Sequence, residues 1–287
     1  MKKKNRSKML VKKVVKKTTK KSRGKSNNNN NVITLIPVRM KATRLPNKPL
    51  LDINGKTLLR HVCENVQKYI KSDVYVAAGD QEIIDECNRI GIPSVLTDPA
   101  LPSGTDRIAA ALKQIDPTGK KYGIVVNFQG DGLNVDPRVN LPLIEMVKKG
   151  GCDIATCGMV FKTKEAAENP TNVKIIMGLR EGEIEGRALY FTRALAPFTQ
   201  KPDQCKNQDF YHHIGIYVYS AKSLQKMVSL PVGVLEDRES LEQLRALEDG
   251  MTIRAKIITM EEMKLVPEAP ADVNTTDELE EARKYIK

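Results

Sequence analysis

From residue 32 onward the chain alternates two apolar patterns. Val32-Ile33-Thr34-Leu35-Ile36-Pro37 is a short β-branched run of the kind that forms a buried parallel strand. Leu58, Leu59, Val62, Val66 and Ile70 recur at helical spacing and predict a helix within residues 56–71. Val74 to Ala78 predicts a second strand, and residues 80–90 a helix ended by Gly91. Ser94 to Thr97 reads as a short strand, 105–115 as a helix, and Ile124 to Phe128 as a buried strand. A further helix starts near Pro137. This alternation argues an α/β fold: a doubly wound, mostly parallel (mixed) sheet with helices on both faces. The second half is less regular. Strands are expected at 152–161, 172–177, 214–219 and 252–259, and helices at 220–228, 236–249 and 275–286. The stretch 178–212 reads as loop-rich, an insertion or a dimer arm.

Charge divides the chain differently. The formal net charge is +12, but residues 1–31 hold 13 Lys/Arg and no acid, so the remainder carries 47 − 13 = 34 basic against 35 acidic residues. Two units follow: a basic tail, 1–31, ending in the run Asn27 to Asn31, and a nearly neutral domain, 32–287. Lys, Ser and Asn without apolar periodicity bury too little surface to offset ordering entropy, so the tail is expected to be disordered. Two readings stand for it: adhesion to nucleic acid or an anionic surface, or targeting; and a solubilising extension. No run of about 18 apolar residues exists to cross a membrane, and the Lys-rich start lacks the apolar core of a secretory signal. Five scattered cysteines without a CxxC pair fit free thiols in a reducing compartment. Three histidines are too few for a multi-histidine metal site.

Ligands of open α/β sheets bind beyond the carboxyl ends of the strands. Three segments there carry chemistry. After the first strand, Arg39, Lys41, Arg44 and Lys48 form an acid-free cationic loop suited to a polyphosphate. Ser103-Gly104-Thr105-Asp106-Arg107 opens a helix with cap residues and a glycine that admits a ligand to the backbone. Gln129-Gly130-Asp131 sets a carboxylate at a strand end, where one commonly holds Mg²⁺ against phosphates. Taken singly, each has a plainer reading: a solvated basic loop, a helix cap, an ordinary turn.

Together the segments resemble nucleotidyltransferases that activate sugars, and among them the 3-deoxy-manno-octulosonate (Kdo) cytidylyltransferase family. The likeness rests on Arg39, Thr43 to Pro46, Lys48 to Leu50 and Asp52 to Lys56, then on Ser103 to Arg107 and Gln129 to Asp131. It continues through Ala188 to Arg193, His213 to Tyr219, Leu235-Glu236, Glu239 and Leu241 to Arg245. It covers residues 32–287 and leaves out the tail. The resemblance implies a nucleotide-diphospho-sugar transferase-like fold and the reaction CTP + Kdo → CMP-Kdo + pyrophosphate. It places Arg39, Arg44 and Lys48 on the triphosphate, Ser103, Gly104, Thr105, Arg107 and Gln129 at the nucleotide, and Mg²⁺ on Asp131. It assigns Arg193, His213, Tyr217, Glu236, Glu239 and Gln243 to the sugar acid. It further implies a cytoplasmic homodimer serving lipopolysaccharide or other surface-glycan synthesis.

Three positions depart from the family. Gly132-Leu133 follow Asp131 in place of Glu-Pro, and Ala42 stands where Ser is common. The family's second metal-binding Asp falls on Asn274, with Asp272 two residues away as a substitute. Rival readings are a CMP-sugar synthetase for an 8-amino-Kdo or sialic-acid-type nonulosonate, and, from another class, an inactive scaffold tethered through its basic tail.

Overall fold

The computed structural model describes residues 31–41, 45–205 and 207–287. The expected tail lies outside the described residues except for Asn31, as do Ala42, Thr43 and the predicted phosphate ligand Arg44.

In chain order the elements are β1 (Val32–Val38), β2 (Asp52–Ile53), β3 (Lys56–Thr57), α1 (Leu58–Tyr69), β4 (Asp73–Ala78), α2 (Gln81–Ile90), β5 (Ser94–Leu96), α3 (Gly104–Ile115) and β6 (Ile124–Asn127). The second half holds α4 (Asn140–Lys148), β7 (Ile154–Val160), α5 (Lys164–Glu168), β8 (Lys174–Gly178), β9 (Glu185–Thr192), β10 (Tyr211–Ser220), α6 (Ala221–Ser229), α7 (Val234–Glu239), α8 (Gln243–Glu248), β11 (Ile253–Ile257), α9 (Met260–Met263) and α10 (Thr276–Tyr285).

Nine strands form one sheet in the order β5-β4-β1-β6-β10-β7-β11-β9-β8. The first four run parallel. β10 then lies antiparallel to both neighbours, and β9 is antiparallel to β11 and β8. Alternation along β1 sends Val32, Ile36 and Val38 to one face, where Leu59, Val62 and Val66 of α1 and Leu143 of α4 cover them. Ile33 and Leu35 point to the other face, under Ile108 and Leu112 of α3 and Leu224 of α6. Helices therefore cover both faces of the sheet. Local signals set the ends: Thr57 accepts the Arg60 amide at the start of α1, and Gly91 closes α2 at φ 72°.

Two expectations are corrected. The 178–212 stretch contains β9, a full member of the main sheet. Its inward positions include Gly186 and Ala188, while Glu185, Arg187 and Leu189 face out, so the apolar signal of a strand is weak. The single helix expected at 236–249 is two, because Ser240 adopts a left-handed conformation (φ 52°) between α7 and α8. Glu236, Glu239 and Gln243 consequently do not share one helical face.

Leu59 is fully buried against the sheet whereas Leu96 is 47% exposed. Leu59→Ala is expected to lower unfolding free energy by about 2–5 kcal/mol, and Leu96→Ala by no more than about 0.5 kcal/mol. Urea unfolding of both variants measures this; equal losses would contradict the described packing.

Candidate active site

β1 and β6 are parallel neighbours, with Leu35 opposite Asn127, so the segments that follow them leave the sheet side by side. They meet the amino terminus of α3 and the 272–274 segment around a cleft of about 550 Å³. Arg39, Lys41, Lys48, Ser103, Gly104, Arg107, Gln129, Asp131 and Asn274 all line it. Gly130 is required sterically: a Cβ there would lie 2.8 Å from the Pro37 carbonyl oxygen and from Val38 Cγ2. The exit of β1 is fixed by the exit of β4. Gly79 N–H donates to the Val38 carbonyl at 2.8 Å, and Met40 N–H donates to Asp80 Oδ2 at 2.7 Å.

Lys48 is the link across the cleft. Its Nζ donates to Asp131 Oδ2 at 2.7 Å and to Asn274 Oδ1 at 2.9 Å. Residues far apart in sequence, among them Asn274 and the Asp131 that precedes Gly132-Leu133, thus meet at one ammonium. Asp272 shares this environment: burial and then the Asp131 carboxylate push its pKa up to about 7, with Lys48 opposing. Arg107 is buried, with Nη1 donating to Thr97 Oγ1 at 2.6 Å and to the Asp98 carbonyl at 3.2 Å. Burial and then the nearby Arg39 hold its pKa down, partly offset by Asp80 and Asp98. Cations gathered at the cleft in this way favour an anionic ligand. Ser103 caps α3, accepting the Asp106 amide at 3.1 Å. Thr105 does not line the cleft; its hydroxyl donates to Glu242 at 2.8 Å.

None of the residues assigned to the sugar acid is part of this cleft's lining. Arg193 follows β9 and donates through Nε to the Glu239 carbonyl (2.7 Å), while its backbone N–H donates to Glu239 Oε2 (2.9 Å). His213 and Tyr217 sit on β10 with ring centroids 5.5 Å apart. A bulge between Ile214 and Tyr217 turns the strand here, and Gln129 Nε2 reaches the Gly215 carbonyl at 3.5 Å. The Glu236 carboxylate is engaged by Arg245, at 2.5 and 2.6 Å, which ties α7 to α8. Gln243 is buried on α8.

Comparison with known proteins resolves what this architecture is. A family model described as cytidylyltransferase matches residues 33–253. The chain belongs to the cytidylyltransferase family. The 3-deoxy-manno-octulosonate cytidylyltransferase of Paramagnetospirillum magneticum is 42% identical over 255 residues, covering 89% of this chain and 97% of the relative. That of Rhodospirillum rubrum is 43% identical over 256 residues, covering 88% and 95%. A solved CMP:2-keto-3-deoxy-manno-octonic acid synthetase complexed with CTP superimposes at a TM-score of 0.76 with 30% identity, covering 88% of this chain and 97% of that one.

Three supporting residues of this cytidylyltransferase escaped the sequence reading. Asp80, which holds the Met40 amide, follows β4 and so stands where strand-end residues were sought. Glu242 accepts from Ser103 Oγ (2.9 Å) and Thr105 Oγ1 (2.8 Å), joining the α8 side to the start of α3. It lies inside a segment that carried the family likeness, and burial raises its pKa. Lys174 is fully buried and donates to the carbonyls of Asn169, Asn172 and Arg193 at 3.2, 2.7 and 2.6 Å. A lone charge at the start of β8, directly before the apolar Ile175-Ile176-Met177, was its signal.

His213 lies within 3.1 Å of Thr156 Oγ1, and burial, then His212, lowers its pKa from 6.5 to about 3. Between those values the unfolded chain binds more protons than the folded one, so stability present above pH 6.5 is lost as pH falls toward 3. His213→Gln is expected to flatten this acid-side slope by about one proton. Chemical denaturation at a series of pH values measures it, and an unchanged slope would place a charged imidazole in the fold.

Proposed function

We propose that this chain transfers the cytidylyl group of CTP to Kdo, giving CMP-Kdo and pyrophosphate. The observation that carries the reading is the Lys48–Asp131–Asn274 junction, set in a cation-lined cleft at the carboxyl ends of β1 and β6. The relatives' names supply the substrate. Arg39, Arg44 and Lys48 would receive the triphosphate, with Arg107 and the start of α3 near the nucleotide. The anomeric hydroxyl of the sugar attacks the α-phosphorus in line. A new P–O bond forms to that oxygen, the bond to the β-phosphate breaks, pyrophosphate leaves, and the hydroxyl proton passes to solvent. No enzyme nucleophile is needed, so positioning and charge neutralisation carry the catalysis. Arg193, His213, Tyr217, Glu239 and Gln243 are the side chains proposed for the sugar acid. Glu236 supports them by holding α7 on α8.

The donor set fits Mg²⁺. Asp131 offers a carboxylate, Asp272 a second one whose ionised form is disfavoured by burial and by Asp131, and Asn274 an amide oxygen. One or two carboxylates completed by substrate phosphates suffice for this ion. When bound, it would neutralise charge on the α-phosphate. The free thiols and the use of CTP support a cytoplasmic location. Lipopolysaccharide or other surface-glycan synthesis would use the product. The 13 basic residues among the first 31 support adhesion to nucleic acid or anionic surfaces, separate from the chemistry. A homodimer is proposed through the β8–β9 side, where Ile184, Leu189 and Phe198 are 54%, 55% and 88% exposed.

Pyrophosphate release from CTP with Mg²⁺ is expected to require Kdo and to fall about 10²–10³-fold in Asp131→Ala. Release with an 8-amino or nonulosonate sugar but not Kdo would move the substrate; silence with every sugar acid in folded protein would overturn the reading. Asn274→Asp is expected to lower the half-activating Mg²⁺ concentration, and an unchanged value would remove Asn274 from the metal site. Phe198→Asp is expected to shift the mass measured by light scattering from dimer to monomer; a dimer of unchanged strength would place the interface elsewhere.

A further inference from the structure

Asn134 follows Asp131 by three residues and is fully buried. Its Nδ2 donates to the carbonyls of Val266 (2.7 Å) and Ala269 (3.1 Å), and its Oδ1 accepts the Val266 amide (2.8 Å). Its backbone does the same work: Asn134 N–H donates to the Ala271 carbonyl, and Leu265 N–H donates to the Asn134 carbonyl, both at 3.0 Å. Both amide protons and the amide oxygen are therefore directed at one segment, 265–271, which lies between α9 and α10 and has no helix or strand of its own. That segment leads directly into Asp272 and Asn274. A buried amide is costly unless its partners are fixed, so it holds them in one arrangement. Neighbouring contacts align the same join: Asp136 N–H donates to the Met263 carbonyl at 2.7 Å, and Val135 pairs with Lys264. From the other side, Lys264 Nζ donates to the Ala269 carbonyl at 2.9 Å.

We propose that Asn134 is a positioning residue that holds Asp272 and Asn274 opposite Asp131, and so sets the affinity of the site for a divalent cation. This rests on the reading of those three residues as the cation's ligands. Asn134 touches no ligand itself. It acts by registering the irregular 265–271 segment against the turn that carries Asp131, so that two ends of the chain present their oxygens to one point.

The test uses the full chain, with Mn²⁺ binding in the presence of CTP followed by electron paramagnetic resonance, and the Mg²⁺ dependence of pyrophosphate release. Asn134→Leu keeps the shape and removes the amide. It is expected to raise the Mn²⁺ Kd and the half-activating Mg²⁺ concentration about 10-fold, with the KM for the sugar acid unchanged. Lys264→Met loosens the same segment while leaving Asn134 in place, and is expected to shift both values in the same direction by a smaller factor. Variants that lose thermal stability yet bind Mn²⁺ like the parent would overturn the proposal. Should Asn134→Leu not fold, an unshifted Lys264→Met overturns it instead. Failure of the underlying reading has a separate signature: Mn²⁺ affinity untouched by Asp131→Asn would put the cation elsewhere and remove the ground for the proposal.

Discussion

Because β1 and β6 run side by side in one direction, the chain leaves both strands at the same end of the sheet, and the loops after the two strands must share that space. The cationic loop and Gln129-Gly130-Asp131 are consequently neighbours by topology before any side chain is considered. Close approach then becomes the constraint, met by a glycine where a Cβ would collide with the Pro37 carbonyl. Lys48, Asp80 and Asn134 convert that approach into fixed positions through hydrogen bonds. Each bond is modest alone, but each draws a separate part of the chain to the same end of the sheet.

The first half of the fold was legible because its strands are buried on both faces and its helices carry a one-sided apolar stripe. Val32 to Ile36, Leu58 to Ile70 and Ile124 to Asn127 announce themselves. β9 was not legible: Gly186 and Ala188 occupy inward positions without adding hydrophobic signal, and the charged Glu185 and Arg187 alternate with them. Nor was the break at Ser240, since a residue in the left-handed region leaves little trace in a run that otherwise suits a helix.

The candidate site shows the same division. Arg39, Lys48, Ser103, Gln129 and Asp131 lie in the segments that follow strand ends, where general rules of open sheets direct attention. Asn274 is recognised only by likeness to a family, yet its amide meets Lys48 at 2.9 Å. Residues that act through backbone carbonyls, such as Lys174 and Asn134, are invisible to motif reasoning. Their partners are main-chain atoms, which any sequence supplies. Burial of a polar side chain is what reveals them, and burial is a property of the fold.

The Lys48 ammonium has a consequence for the electrostatics of the cleft. Asp131 faces the cleft and Asp272 is buried near enough to feel its charge, so repulsion between the two carboxylates works to spread the segments that carry them. A tethered ammonium, 2.7 Å from Asp131, serves as a resident counter-ion. Under the proposed function an arriving phosphate would enter by exchange: the lysine would change partners, from protein oxygens to those of the ligand. The energy of ligand binding at this lysine would then be the difference between two sets of ionic contacts.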